Sequence, residues 1–112
     1  MANTFKLVNN AVMSTVAGTS DALYTVPSST TTIILGLTLC NVHTAQVSAT
    51  VEIVDTSASI TSTVIKDAPI PVGGSLEIMS GNKIVVETTD VVKVSSSIAD
   101  KISATMSIME IT

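Results

Sequence analysis

The chain reads as all-β, an antiparallel β-sandwich, on three observations. Val, Ile and Thr make up 44 of its 112 residues, and β-branched side chains lose rotamer freedom in a helix but fit a pleated surface. Apolar and polar residues alternate with a period of two in segment after segment, while no stretch keeps a 3.6-residue period over three turns. Clusters of Gly, Pro, Asn, Asp and Ser recur at roughly the eight-to-twelve-residue spacing of short strands joined by turns. A jelly roll and an immunoglobulin-like Greek key both satisfy this pattern, and a count of about eight strands favours the jelly roll. Residues 1–112 form a single domain, long enough for one core and too short for two.

Taken in order, Thr4 to Asn9 reads as a first short strand or arm with Phe5, Leu7 and Val8 apolar. Asn9-Asn10 marks a turn, and Ala11 to Ala17 gives a second weak strand with Val12, Ser14 and Val16 on one face. Gly18 to Asp21 is a loop by composition. Ala22 to Val26 is a strand stopped by Pro27, which has no N–H for a ladder. Thr30 to Asn41 is the central strand, well short of the roughly 20 apolar residues of a membrane span. Strict alternation puts its Ile33, Leu35, Leu37 and Leu39 on the core face and Thr32, Ile34, Gly36, Thr38 and Cys40 on the other.

After the polar tip His43 to Gln46, the segment Val47 to Asp55 alternates Val47, Ala49, Val51 and Ile53 with Ser48, Thr50 and Glu52. The short loop predicts that these two strands pair as a hairpin. Ser62 to Ala68 is a further strand with Val64 and Ile65. Pro69 to Gly74 is a corner, its prolines barring regular pairing and its glycines permitting positive φ. Ser75 to Met79 turns Leu76 and Ile78 inward and Glu77 outward; Ser80-Gly81-Asn82 signals a tight hairpin into Lys83 to Thr88. Val91 to Ser96 carries Val92 and Val94 on one face. Ile102 to Ile111 sets Ile102, Ala104, Met106, Ile108 and Glu110 on one face and Thr105, Met109 and Ile111 on the other. The predicted core is Leu35, Leu37, Leu39, Val51, Ile53, Leu76, Ile78, Ile84, Val94 and Ile108.

Composition excludes several functions. With five Lys, no Arg and a net charge of −4, the chain lacks the basic clusters that bind phosphate backbones. One Phe, one Tyr and no Trp leave no stacking platform for bases or sugars. Charged residues are 12% of the chain, about half the usual share of about 25%, as suits a surface covered in an assembly. The N-terminus lacks the apolar core of a signal peptide, so a soluble protein outside the conventional export route is expected, with no membrane partner. Cys40 is alone, so no disulfide forms within the chain.

No residues assemble into a catalytic, cofactor-binding or metal site. His43 is the only histidine, and a Cys40-x-x-His43 pair supplies two ligands where structural zinc needs four. Cys40 has no activating base beside it and reads as a small buried hydrophobe. Asp21, Asp55, Asp67, Asp90 and Asp100 are singletons at strand ends, as turn residues are, and lack the closely grouped oxygens of a calcium loop. Gly73-Gly74 precedes a strand, not a helix, and is no phosphate cradle. An enzyme would need a positioned acid–base pair, which the chain does not offer.

Two blocks carry a resemblance. Leu23-Tyr24-Thr25-Val26-Pro27-Ser28-Ser29-Thr30-Thr31-Thr32, followed by Gly36-Leu37-Thr38-Leu39-Cys40-Asn41, resembles the opening of small β-sandwich virion structural proteins of tailed bacteriophages, especially marine and cyanobacterial ones. In those proteins such a turn enters a long strand ending in Asn. Pro69-Ile70-Pro71-Val72-Gly73-Gly74-Ser75-Leu76-Glu77-Ile78 and then Lys83 to Val94 are similar to their later strand–turn–strand block, and Ser107 to Ile111 to their close. Thr89 stands where a Gly usually precedes the Asp. The likeness covers about residues 22 to 111 and consists of turn and strand residues, so it transfers no catalytic group.

The resemblance implies a non-enzymatic structural protein of the virion, assembled in the host cytoplasm, foremost a capsid-surface decoration (cement) protein. The alternatives are a neck, tail or baseplate component, or a tail-borne receptor- or carbohydrate-binding module. The last expects exposed aromatic or clustered acidic and amide side chains, which are nearly absent. The implied partners are further copies of the chain, in a closed ring such as a trimer, and the major capsid or another virion protein, with no nucleic acid. Residues 1–17 are expected to act as an arm on a neighbouring subunit, because the segment is too weakly patterned to pair within the sandwich. Contacts are assigned to Phe5, Leu7 and Val8, joined by Met109 and Ile111.

Overall fold

The computed structural model describes residues 2–13, 19–79 and 83–112. Among them are nine strands and no helix: β1 (Asn3–Asn10), β2 (Asp21–Thr25), β3 (Thr31–Asn41), β4 (Val47–Asp55), β5 (Ile60–Ile70), β6 (Ser75–Glu77), β7 (Ile84–Val86), β8 (Val91–Ser96) and β9 (Ile102–Ile111). The first sheet runs β1-β9-β3-β6, with β7 also on β3; the second runs β2-β8-β4-β5. Every pairing is antiparallel. Strands pair first with last, second with next to last, third with β6 and β7, fourth with fifth. That nested ribbon, rolled so that alternate strands fall in opposite sheets, is the jelly-roll-like form of the sandwich. An immunoglobulin-like order would set more consecutive strands side by side.

The rolling overturns two local expectations. β3 and β4 do not form a hairpin; they lie in different sheets, joined by residues 42–46. A loop of this length, at roughly 3.3 Å per residue, spans the roughly 10 Å between packed sheets as readily as it turns within one. β6 and β7 are not hairpin arms either. Both run antiparallel to β3, one at Leu39↔Leu76 and the other at Ile34↔Ile84, so they are successive pieces of one border strand. The turn expected at Ser80-Gly81-Asn82 lies outside the described residues. β5 also runs past its expected end at Ala68: Pro69 stands opposite Ser48 in regular register. β5 borders its sheet, and a border strand tolerates the missing N–H.

The first segment is a strand of the sandwich itself. β1 pairs with β9 from Asn3↔Ile111 to Asn10↔Ala104, and Ala2 and Thr112 continue the ladder. Its alternation is inverted, which is why it looked weak: exposed Phe5 and Leu7 face outward while Thr4 and Lys6 share the inward side with Val8. Of the expected second strand, Ala11 to Met13 are not strand, Met13 being buried with its N–H on the Ile102 carbonyl at 2.7 Å. The remainder, Ser14 to Ala17, lies outside the described residues.

The core is aliphatic and lies between the sheets, with Ile34, Leu37, Leu39, Val51, Val92, Val94, Ile102, Met106 and Ile108 fully buried. Of the predicted core, Leu37, Leu39, Val51, Val94 and Ile108 are buried, and Ile53, Leu76, Ile78 and Ile84 pack against it partly covered. Leu35 is not in it, and the cause is a bulge. Against β9 the register shifts between Ile34↔Ile108 and Gly36↔Ser107, so Leu35 is an extra residue in β3. The inward phase therefore changes from Thr32 and Ile34 before the bulge to Leu37, Leu39 and Asn41 after it. Strict alternation had put Ile33 inside and Ile34 outside; the bulge reverses both.

Candidate interaction surface

The bulge and the register of four strands assemble an apolar band on the outer face of the first sheet. Phe5 of β1 stands opposite Met109 of β9, Met109 opposite Ile33 of β3, and Ile33 opposite Val85 of β7. Directly opposed residues point to the same side of a sheet, so these four form one row across it. Ile111 lies two residues along β9 on the same side, and Leu7 two residues along β1. Phe5 is 72% exposed, Leu7 63% and Val85 60%, whereas Met109 and Ile111 are half-buried by their neighbours. Four of the five contact positions read from the sequence, Phe5, Leu7, Met109 and Ile111, thus share a surface. Val8 does not; it packs against the core from the inner side. Ile33 and Val85 were missed, because only the bulge and the cross-strand register bring them there.

Beneath the band, polar groups tie its strands to the second sheet. Glu110 is buried on the inner face, where its sequence alternation had put it. Lys6 Nζ of β1 reaches its Oε1 at 2.9 Å, and the Tyr24 hydroxyl of β2 donates to its Oε2 at 2.5 Å while lying 2.8 Å from Thr32 Oγ1 of β3. Hydrogen bonds from Tyr24 and then Lys6 hold the Glu110 carboxyl below its ordinary range, against the effect of burial. Burial, and next the carboxylate itself, pushes the Tyr24 phenol up to about 12. A second carboxylate secures the bulge: Glu77 accepts from the Leu37 N–H at 3.3 Å and from the Thr38 hydroxyl at 2.6 Å. Its oxygen lies 3.8 Å from where a side chain on Gly36 would begin.

The outer face of the second sheet is different in kind. Ser48, Thr50 and Glu52 of β4, Ser95 of β8 and Asp67 of β5 line an open cleft of about 270 Å³ together with flanking serines. Hydroxyl and carboxylate groups dominate its lining, which among the described residues includes no aromatic side chain.

The residues weighed for chemistry are engaged structurally. Asn41, which ends β3, is buried; its amide donates to the carbonyls of Ala45 and Ile70 at 2.9 Å, and its Oδ1 accepts from the His43 N–H at 2.7 Å. Cys40 lies half-buried on the side opposite Leu39. Asp90 is buried and closes its turn by accepting from the Glu87 N–H at 2.9 Å and the Thr56 N–H at 3.1 Å. Thr89 before it has φ of 70°, the left-handed conformation that favours glycine. Among the described residues no group of three or more His, Cys, Asp or Glu is placed to hold a metal ion.

No protein-family model matches the chain, and no curated protein matches it in sequence. Solved structures match its fold. A chain from the acid-stable capsid of Helicobacter pylori bacteriophage KHP30 aligns with a TM-score of 0.56 at 13% identity, over 97% of this chain and 90% of that one. A chain from Bacillus endospore appendages, described as disulfide-linked pili, aligns with a TM-score of 0.58 at 13% identity, over 99% and 87%. A chain from the infectious bursal disease virus particle aligns with a TM-score of 0.59 at 10% identity, over 96% of this chain but only 30% of that one. At these identities the likeness is one of fold. The chain has a β-sandwich fold that also occurs in viral capsids and in an appendage fibre.

Proposed function

We propose that this chain is a non-enzymatic structural protein of a bacteriophage virion, a decoration (cement) protein that docks the outer face of its first sheet on the head shell. The observation that carries this is the band Phe5–Met109–Ile33–Val85. An apolar row across four strands, half-buried at Met109 and Ile33 and exposed at Phe5 and Val85, is what a docking face presents and what a free surface avoids. A bacteriophage capsid chain shares the fold over 97% of this chain and 90% of that one, which supports a place in a shell. The resemblance of the Leu23–Asn41 and Pro69–Val94 blocks to small phage virion proteins supports the same reading. The appendage likeness does not extend to a disulfide-linked fibre. Such a fibre needs two bridging cysteines per subunit, and Cys40 is the only one.

The test is reconstitution. Heads of the parent phage prepared without this chain should bind the purified protein to saturation at a fixed ratio to shell subunits. Decorated heads should also melt at a higher temperature than bare ones. Recovery of the protein on tails, or no binding to heads, would sink the cement role.

A further inference from the structure

Sheet borders offer unpaired N–H and C=O groups that can template another strand, and proteins usually blunt them. Three of the four borders here are blunted. β2 is five residues long, with a register shift between Ala22 and Tyr24. β5 carries two register shifts, Asp67 at φ of 50° and Pro69. The border on β3 is broken into the three-residue pieces β6 and β7. β1 has none of these devices: eight residues run in unbroken register with β9, without a proline, and no strand among the described residues pairs on its other side. Its one charge, Lys6, is drawn inward to Glu110.

We propose that two copies of this chain join their first sheets through this border, β1 antiparallel to β1 about a two-fold axis. Pairing between copies needs an open border on each, and among the described residues β1 is the one border without such a device, so β1 meets β1. The product is a pair rather than a ring, and it replaces the trimer expected from the sequence. Register follows from the side chains. Opposed residues must lie on the same side of the joined sheet, so Phe5 can face Phe5, Leu7 or Asn9 of the second copy. Centring on Lys6 sets Phe5 opposite Leu7 in both directions, which covers both exposed apolar groups of the strand. The two lysines at the centre are each already neutralised by their own Glu110. This inference goes beyond the docking reading and does not rest on it.

The test is the mass of the full chain in solution, followed by disulfide trapping. Opposed Cα atoms in an antiparallel pair lie about 4.5–5.5 Å apart, inside the roughly 4.4–6.8 Å that a disulfide spans. Light scattering should give twice the chain mass. In a Cys40→Ser background, Lys6→Cys should then cross-link to a covalent dimer under mild oxidation, while Val85→Cys, on the opposite border of the same sheet, should not. Circular dichroism should stay that of the parent. A monomer at every concentration, a mass of three chains, or a dimer that Lys6→Cys fails to trap overturns the proposal. A monomer that still decorates heads overturns this contact and leaves the docking face standing.

Discussion

At the scale of single residues, the Tyr24–Glu110 contact has consequences at both ends of the pH scale. Glu110 has its carboxyl pK lowered by folding, so its contribution is present above the ordinary carboxylate value and is lost as pH falls through the depressed one. Tyr24 has its phenol raised to about 12, so the folded state holds that proton longer than the unfolded chain does. Its contribution is present below the ordinary value near 10 and is lost as pH rises toward about 12. Tyr24 is the only tyrosine, which makes ultraviolet absorbance a clean probe of this one group. The phenolate should appear near pH 12 in the folded protein. Glu110→Gln should move it part of the way back toward 10, since burial, the larger cause, remains. A midpoint already near 10 in the parent would mean that the tyrosine does not bridge the sheets.

At the scale of elements, the bulge in β3 decides which isoleucine is core. Ile34 is fully buried and Ile33 lies on the outer band, the reverse of uninterrupted alternation. Ile34→Ala should therefore cost about 2–5 kcal/mol in urea unfolding, a transfer loss plus a cavity, and so should Leu37→Ala beyond the bulge. Ile33→Ala should cost less than about 1 kcal/mol, as at a surface position. Equal losses at residues 33 and 34 would place both inside and remove the bulge. β4, β8 and β9 were legible in the sequence because each buries one face and alternates without interruption. β3 was legible as a strand but not in its phase: Gly36 inside the strand is the one local sign of a bulge, and the carboxylate that stabilises it, Glu77, comes from another strand. β1 reads from sequence as a short strand or an arm on a neighbouring subunit, because its apolar residues face solvent and its lysine faces in; in the structure it is a strand paired with β9. Half of the band was readable: Phe5 and Met109 stood out as apolar residues at outward positions, whereas Ile33 and Val85 depend on partners far along the chain.

For the whole molecule, the two outer faces of the sandwich are unlike. One carries the apolar row from Phe5 to Val85, the other the hydroxyl-rich cleft around Thr50. Apolar groups gain by leaving water, and hydroxyls lose unless each finds a partner. A protein fixed to a larger body would therefore turn the first face inward and leave the second to solvent. Phe5 and Val85 sit at opposite ends of the row and make no part of the buried core, so both can be changed with the fold intact. Phe5→Ser combined with Val85→Asp should weaken binding to undecorated heads at least tenfold, about 1.4 kcal/mol or more, while the circular dichroism of the free protein stays that of the parent. Thr50→Lys, in the opposite cleft, should bind heads as the parent does. If the cleft variant loses binding and the band variant keeps it, the molecule sits on its partner the other way up. The apolar row then has to be explained by contacts between copies alone.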